Sequence, residues 1–369
     1  MSHPVSGSPE STAQPGRVRE LDLLRFIAAL AVVLYHYTYH RTVAGSPDVV
    51  FPMLERATAR GYLGVNLFFM ISGFVILWTA RARPPAAFVI SRITRLYPEF
   101  WLAVVLSACT FAFFPLGPGP RLTIATVLAN LTMVPQFMRA PYVDGVYWTL
   151  GVELKFYALL WLLSVTRQMP RIETWVFGWL AVETYCFAFG GPHFLRSVAI
   201  HPFGPFFIAG CLFFLVRSEG LTVARGLGLL LCLGLSIVES MGEMEKFVQP
   251  ADITMEARLT TGALIVVFFL AFLLIAVRTA EVGFAHRLAF LGALTYPLYL
   301  THNIAKAVML SLGRGLHPYL QLAIALAFSL ALSSAMVLLI ERRLRKPMII
   351  FLTRRYEQIT ARLARRTSS

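Results

Sequence analysis

Residues 21–40 read LDLLRFIAALAVVLYHYTYH. Twenty mostly apolar residues match the length an α-helix needs to cross a bilayer, about 20. Two of them do not belong in hydrocarbon, Arg25 and His36. They are eleven residues apart, close to three turns, so both fall on one helical face with about 16 Å between them. Ionisable side chains inside a span are expensive and usually face a functional cavity. Taken singly, Arg25 also reads as a cation snorkelling to an interface. His36 also reads as a member of an interfacial aromatic belt with Tyr35, Tyr37 and Tyr39. Their shared face favours one common polar cavity.

Nine more stretches have this apolar character, near 61–80, 97–116, 147–166, 173–190, 202–217, 222–240, 259–277, 288–310 and 318–340. Composition agrees, with 57% hydrophobic and 14% charged residues. A soluble chain carries roughly 25% charged residues, so too few are present here to cover a water-facing surface. A soluble, disordered or coiled-coil protein is excluded. The expected fold is all-α, a ten-helix membrane bundle. The net charge of +14 reads as the basic excess of cytoplasmic loops. Nucleic acid is not an expected partner, because no basic, aromatic-interleaved domain stands apart from the apolar runs.

An eleventh, weaker segment at 122–138 is broken by Asn130, Pro135 and Gln136. If it does not span, 21 basic residues fall in inside loops and nine outside. If it spanned, the basic C-terminus would invert to the outside, against the positive-inside bias. The expectation is therefore ten helices with both termini cytoplasmic, and 122–138 re-entering from the outer face. Such irregular backbone is tolerated where protein or a water-filled cavity covers it. Residues 1–19 read as a disordered cytoplasmic tail, 20–347 as the membrane domain and 348–369 as a basic cytoplasmic tail. No secretory signal or internal repeat is evident, and Gly-Pro in 117–120 reads as loop punctuation. The segment 84–95, PPAAFVISRITR, reads as a helix along the cytoplasmic interface.

The remaining polar residues inside spans define the candidate site. GVNLFFMISGF (64–74) holds Asn66 and Ser72, with Gly64 and Gly73 allowing close helix approach. RITRLYP (92–98) presents Arg92 and Arg95 at i and i+3, either to lipid phosphate or as a clamp for an anionic ligand, since Arg binds phosphate bidentately. WTLGVELKFY (148–157) places Glu153 and Lys155 near the outer end of a span. LTYPLYLTHN (294–303) puts His302 in another, with Tyr296, Tyr299 and Lys306 nearby. Two histidines, a glutamate and several arginines in an oily bundle point to proton-transfer chemistry or proton-coupled transport. No HExxH, CxxC, GxSxG or phosphate-binding Gly-rich loop is present, which disfavours a metal or serine hydrolase. The four cysteines sit in apolar runs without metal-site spacing, and no metal is expected.

In this combination the chain resembles the acyltransferase-3 family of integral membrane O-acyltransferases. The matching pieces are LRFIAALAVVLYH, GVNLFFMISGF, RITRLYP, YWTLGVELKFY, TYPLYLTH and IERRLRKP, in family order from about residue 20 to 347. The resemblance implies an acyl-CoA donor, acetyl-CoA above all, on the cytoplasmic side of the plasma (inner) membrane, and an acceptor hydroxyl at the opposite face. It implies that Arg25 and His36 are the essential Arg–His pair. Arg92 and Arg95 become the basic cytoplasmic motif, Glu153 the acidic position and His302 the late histidine. Asn66 stands where many members have Asp, and Lys155 where Gln is common. Asn66, Ser72, Trp148 and Tyr299 are the candidate acceptor contacts.

The expected mechanism is general-base transfer. His36 takes the proton of an acceptor hydroxyl, which attacks the thioester; an acyl-histidine relay is the alternative. Arg25, Arg92 and Arg95 hold the CoA phosphates or polarise the thioester, while Glu153 and His302 orient the acceptor or return the proton. The expected acceptor is a surface or exported glycan. A small molecule such as a macrolide is the alternative, because loops this short offer no aromatic platform for a glycan. The rival from another class is a proton-coupled transporter, which typically shows paired broken helices in internal repeats.

Overall fold

A computed structural model describes residues 18–40, 51–116, 122–277 and 290–367. Most of the polar leader, the Gly-Pro punctuation at 117–120 and the last two residues lie outside the described residues. The described chain is helical, without strands. In order come α1 (Arg19–Tyr37), α2 (Pro52–Thr58), α3 (Gly64–Arg81), α4 (Pro85–Phe113), α5 (Ile124–Asn130), α6 (Trp148–Val165) and α7 (Ile172–Phe189). Then follow α8 (His193–Ala199), α9 (Gly204–Glu219), α10 (Val223–Glu243), α11 (Met255–Ala276), α12 (Leu291–Leu312), α13 (Pro318–Met336) and α14 (Arg342–Thr367).

Seven helical stretches are long and apolar enough to cross a membrane. Helices are one of the two backbone forms that satisfy their own polar groups in lipid, and the protein is a multi-pass membrane protein. Helices α1, α7 and α12 are of comparable length but more polar, carrying Arg25 and His36, Glu183, and His302 and Lys306. Large apolar side chains such as Leu230, Leu270 and Phe328 stay exposed on α10, α11 and α13, where lipid is the matching solvent.

At the centre, α3 packs along α9. The contact is backbone to backbone. A Cβ on Gly73 would strike the carbonyl of Phe207, and one on Gly210 the carbonyl of Met70. Around this pair, α1 packs on α3 and α12, α12 on α4 and α13, and α6 on α3. Gly64 and Gly61 bring α3 and its leading turn just as close to the α1 backbone at Ala28 and Ala31.

One local reading changes, and the non-spanning character expected of 122–138 holds. Residues 84–95 are not a separate surface helix but the first half of the 29-residue α4, which runs on through Pro98. At 1.5 Å per residue α4 is about 43 Å long, more than the hydrocarbon core of about 30 Å. One end therefore projects beyond it or the helix tilts. The segment 122–138 forms only the short α5 and a 3₁₀ turn, Pro135–Met138. Neither is of spanning length. Beyond α13, a π-helical turn at Val337–Glu341 leads into α14, so the basic C-terminal segment is helical through Thr367.

Candidate active site

Arg25 and His36 face two cavities, not one. Arg25 lines a cavity of about 100 Å³ between α1, α3, α4, α6 and α12, with Arg92, Arg95, Ser72, Glu153 and Tyr157. Ser72 donates to Glu153 at 2.7 Å. Arg25 lies 3.4 Å from Asp22, and the Arg92 guanidinium sits 6.0 Å from the centre of the Tyr157 ring. Glu153 lines this cavity beside the three guanidinium groups. It lies in the second turn of α6, and residues of α4 line the same cavity. Lys155 points elsewhere and donates to Ser197 at 3.0 Å.

His36 lines a larger cavity of about 950 Å³, with His40, Asp144, Asn303 and Lys306. Its walls are aromatic: Tyr35, Tyr62, Trp148, Phe247 and Tyr299 contribute. The aromatic platform missing from the loops is thus built largely by helices. The turn at 244–249 closes over one side. Phe247 stacks on Tyr62 at 4.8 Å, its carbonyl accepts from the Tyr35 hydroxyl at 2.6 Å, and the Gln249 N–H donates to the Tyr39 hydroxyl at 2.8 Å. Tyr35, Tyr37 and Tyr39 are therefore buried fasteners rather than an interfacial belt. Tyr37 bonds the His302 carbonyl at 2.7 Å and Ser329 at 2.6 Å.

Val65 and Tyr299 line both cavities. The Tyr299 hydroxyl is fixed by Thr149 at 2.8 Å and by the Val146 carbonyl at 3.0 Å, and Phe68 meets its ring edge-on at 5.9 Å. Tyr299 is the partition between the arginines and His36.

His302 is fully buried behind His36, with ring centroids 5.0 Å apart. Its Nδ1 lies 2.8 Å from the Tyr299 carbonyl. A carbonyl only accepts, so Nδ1 carries the proton. The lone pair is then on Nε2, which is buried without a hydrogen-bond partner. Asn66 lines neither cavity and donates to Ser240 at 3.3 Å, joining α3 to α10.

Sequence reasoning missed Asp144. It lies in the loop before α6, where its Oδ1 accepts from the Asn303 amide at 2.8 Å and the Val146 N–H at 3.1 Å. Burial raises its carboxyl to about 6, opposed by those two hydrogen bonds and by the Lys306 charge. In sequence, Asp144-Gly145 looks like turn punctuation, and its partner is 159 residues away. No group of His, Cys, Asp and Glu suited to a metal occurs among the described residues.

The family model of the acyltransferase domain matches residues 18–338. The exopolysaccharide production protein ExoZ of Rhizobium meliloti (strain 1021) is 30% identical over 278 residues, 69% of this chain and 79% of its own. Acyltransferase MdmB of Streptomyces mycarofaciens is 29% identical over 196 residues, half of each chain. Nodulation protein 10 of Rhizobium leguminosarum bv. viciae is 28% identical over 217 residues, 53% of this chain and 57% of its own. No solved structure matches the chain. The protein belongs to the acyltransferase-3 family and is an enzyme that transfers acyl groups other than aminoacyl groups.

Proposed function

We propose that this enzyme moves an acyl group, acetyl above all, from acyl-CoA on the cytoplasmic side to a hydroxyl of an exported or surface glycan. One observation carries the reading: a three-arginine cavity and a histidine cavity meet at Tyr299 and Val65. The arginines suit CoA phosphates, and the imidazole suits a hydroxyl acceptor. A volume of about 100 Å³ is below the 300–1,000 Å³ of ordinary ligand pockets. It takes only part of the donor, the diphosphate and the start of the thioester-bearing arm, with the adenosine outside it. The larger aromatic cavity takes the acceptor, with Trp148 and Tyr299 in its wall.

His36 acts as general base. It accepts the hydroxyl proton as the oxygen attacks the thioester carbonyl; the C–S bond breaks, and the imidazolium returns the proton to the CoA thiolate. Arg25, Arg92 and Arg95 hold the anionic donor. Glu153 and Ser72 set the guanidinium positions, and His302 supports His36 from behind. The arrangement goes with ten spans, adding α1, α7 and α12 to the seven apolar stretches. Both termini are then cytoplasmic in the plasma (inner) membrane, and a membrane domain of 20–347 is flanked by short tails.

Purified protein in nanodiscs, given radiolabelled acetyl-CoA and an exopolysaccharide fraction, tests the proposal. Label should enter the polymer with wild type and not with His36→Ala. Label found only in a small-molecule fraction would move the acceptor to the alternative class. No transfer to either would sink the reading.

A further inference from the structure

Asp144 is buried, and only one of its oxygens is used by the fold. Oδ1 takes both hydrogen bonds, from Asn303 Nδ2 and the Val146 N–H, while Oδ2 is buried without a partner. Leaving half a buried carboxylate unsatisfied is costly, so the orphan oxygen calls for an explanation. The carboxylate also decides which way Asn303 faces. It accepts and does not donate, so the amide must turn Nδ2 toward it. Oδ1 of Asn303 is the edge left over, with no hydrogen-bond partner among the described residues, on a residue that lines the histidine cavity. Asn303 follows His302, whose ring packs behind His36. Trp148, Tyr62 and Tyr35 supply apolar walls to the same cavity.

We propose that Asp144 and Asn303 form an acceptor subsite. Asp144 is a positioning residue that holds the Asn303 amide with its carbonyl oxygen toward the cavity, where it accepts a hydrogen bond from an acceptor hydroxyl other than the one acylated. The site therefore takes a polyhydroxylated ring, a pyranose whose C–H faces rest on the aromatic walls, in preference to a simple alcohol. This rests on the acyl-transfer reading for its setting. Binding, not turnover, is its test.

The probes are methyl α-D-glucopyranoside, galactopyranoside and mannopyranoside. They are titrated against full-length protein in nanodiscs by tryptophan fluorescence, with acetyl-CoA binding measured alongside. Wild type should bind at least one glycoside saturably. Asp144→Ala and Asn303→Ala should weaken that glycoside about tenfold, the scale of one lost hydrogen bond, with acetyl-CoA binding unchanged. Asp144→Asn keeps an acceptor oxygen for Nδ2 and should stay within about threefold of wild type. The proposal is overturned if wild type binds none of the three or if the alanine variants bind like wild type. It is also overturned if Asp144→Asn fails as badly as Asp144→Ala, or if acetyl-CoA binding falls in parallel, which marks a purely structural role. If glycoside binding follows the expected pattern but acetyl-CoA does not bind at all, the subsite stands and the acyl-transfer reading falls.

Discussion

The rings of His36 and His302 lie 5.0 Å apart at an interplanar angle of 40°, and only His36 reaches the cavity. His302 has its proton committed to the Tyr299 carbonyl. Its bare Nε2 is sealed from solvent. The front ring therefore borders the cavity, and the rear ring packs behind it.

His36→Ala should lower turnover by at least about 100-fold, the low end of general-base assistance, while the protein still extracts as a folded monodisperse species. His302→Ala should lower kcat by less and leave the acyl-CoA KM alone. The wild-type rate should fall at acid pH, because a protonated imidazole no longer accepts a proton, and level off above the histidine pKa. More than about a tenth of wild-type turnover in His36→Ala would move the base elsewhere.

Arg95 lines the small cavity with Arg25 and Arg92. Arg95→Ala should raise the acyl-CoA KM about tenfold or more, since a charge-assisted hydrogen bond contributes roughly 1.5–3 kcal/mol. Arg95→Lys should recover only part, because the planar fork is lost. An unchanged donor KM with poor expression would assign the side chain to lipid phosphate instead.

Tyr299 separates the two cavities. Tyr299→Ala should join them and admit water to the thioester, raising acetyl-CoA hydrolysis relative to transfer. Tyr299→Phe keeps the ring and should raise it much less. A wild-type hydrolysis-to-transfer ratio in Tyr299→Ala would mean that the ring is no barrier.

Cysteine labelling in intact cells reads the topology. Ser2→Cys and Ser369→Cys should react only after permeabilisation, and Gly242→Cys from outside, as the basic asymmetry requires. Labelling of Ser369→Cys from outside would invert the assignment.

Gly73→Val should prevent stable folding. The added side chain meets the Phe207 backbone rather than a movable side chain, and overpacking costs about 1–3 kcal/mol even where neighbours can yield. Gly242→Ala has open space around it and serves as the control. Equal thermal stability of Gly73→Val and wild type would contradict the close α3–α9 packing.

Much of the protein was legible in its sequence because lipid simplifies the code. Apolar length alone marks helices, so stretches such as 259–277 needed no partner to be recognised. Arg25, His36, Arg92, Arg95, Glu153 and His302 stood out because charge in an oily run has few explanations. Helical period put Arg25 and His36 on one face, as α1 has them. What period cannot tell is what stands between two residues on that face. Tyr299 comes from α12, more than 260 positions after His36, and divides the expected single cavity in two. Glu153 comes to share a cavity with Arg92 and Arg95 only because α4 packs beside α6. Asp144 was invisible for the same reason: alone it is a turn residue, and it gains its meaning from Asn303. Local sequence sets length, period and polarity. Which polar atoms meet is decided by the packing of helices far apart in the chain, and that is a property of the tertiary structure alone.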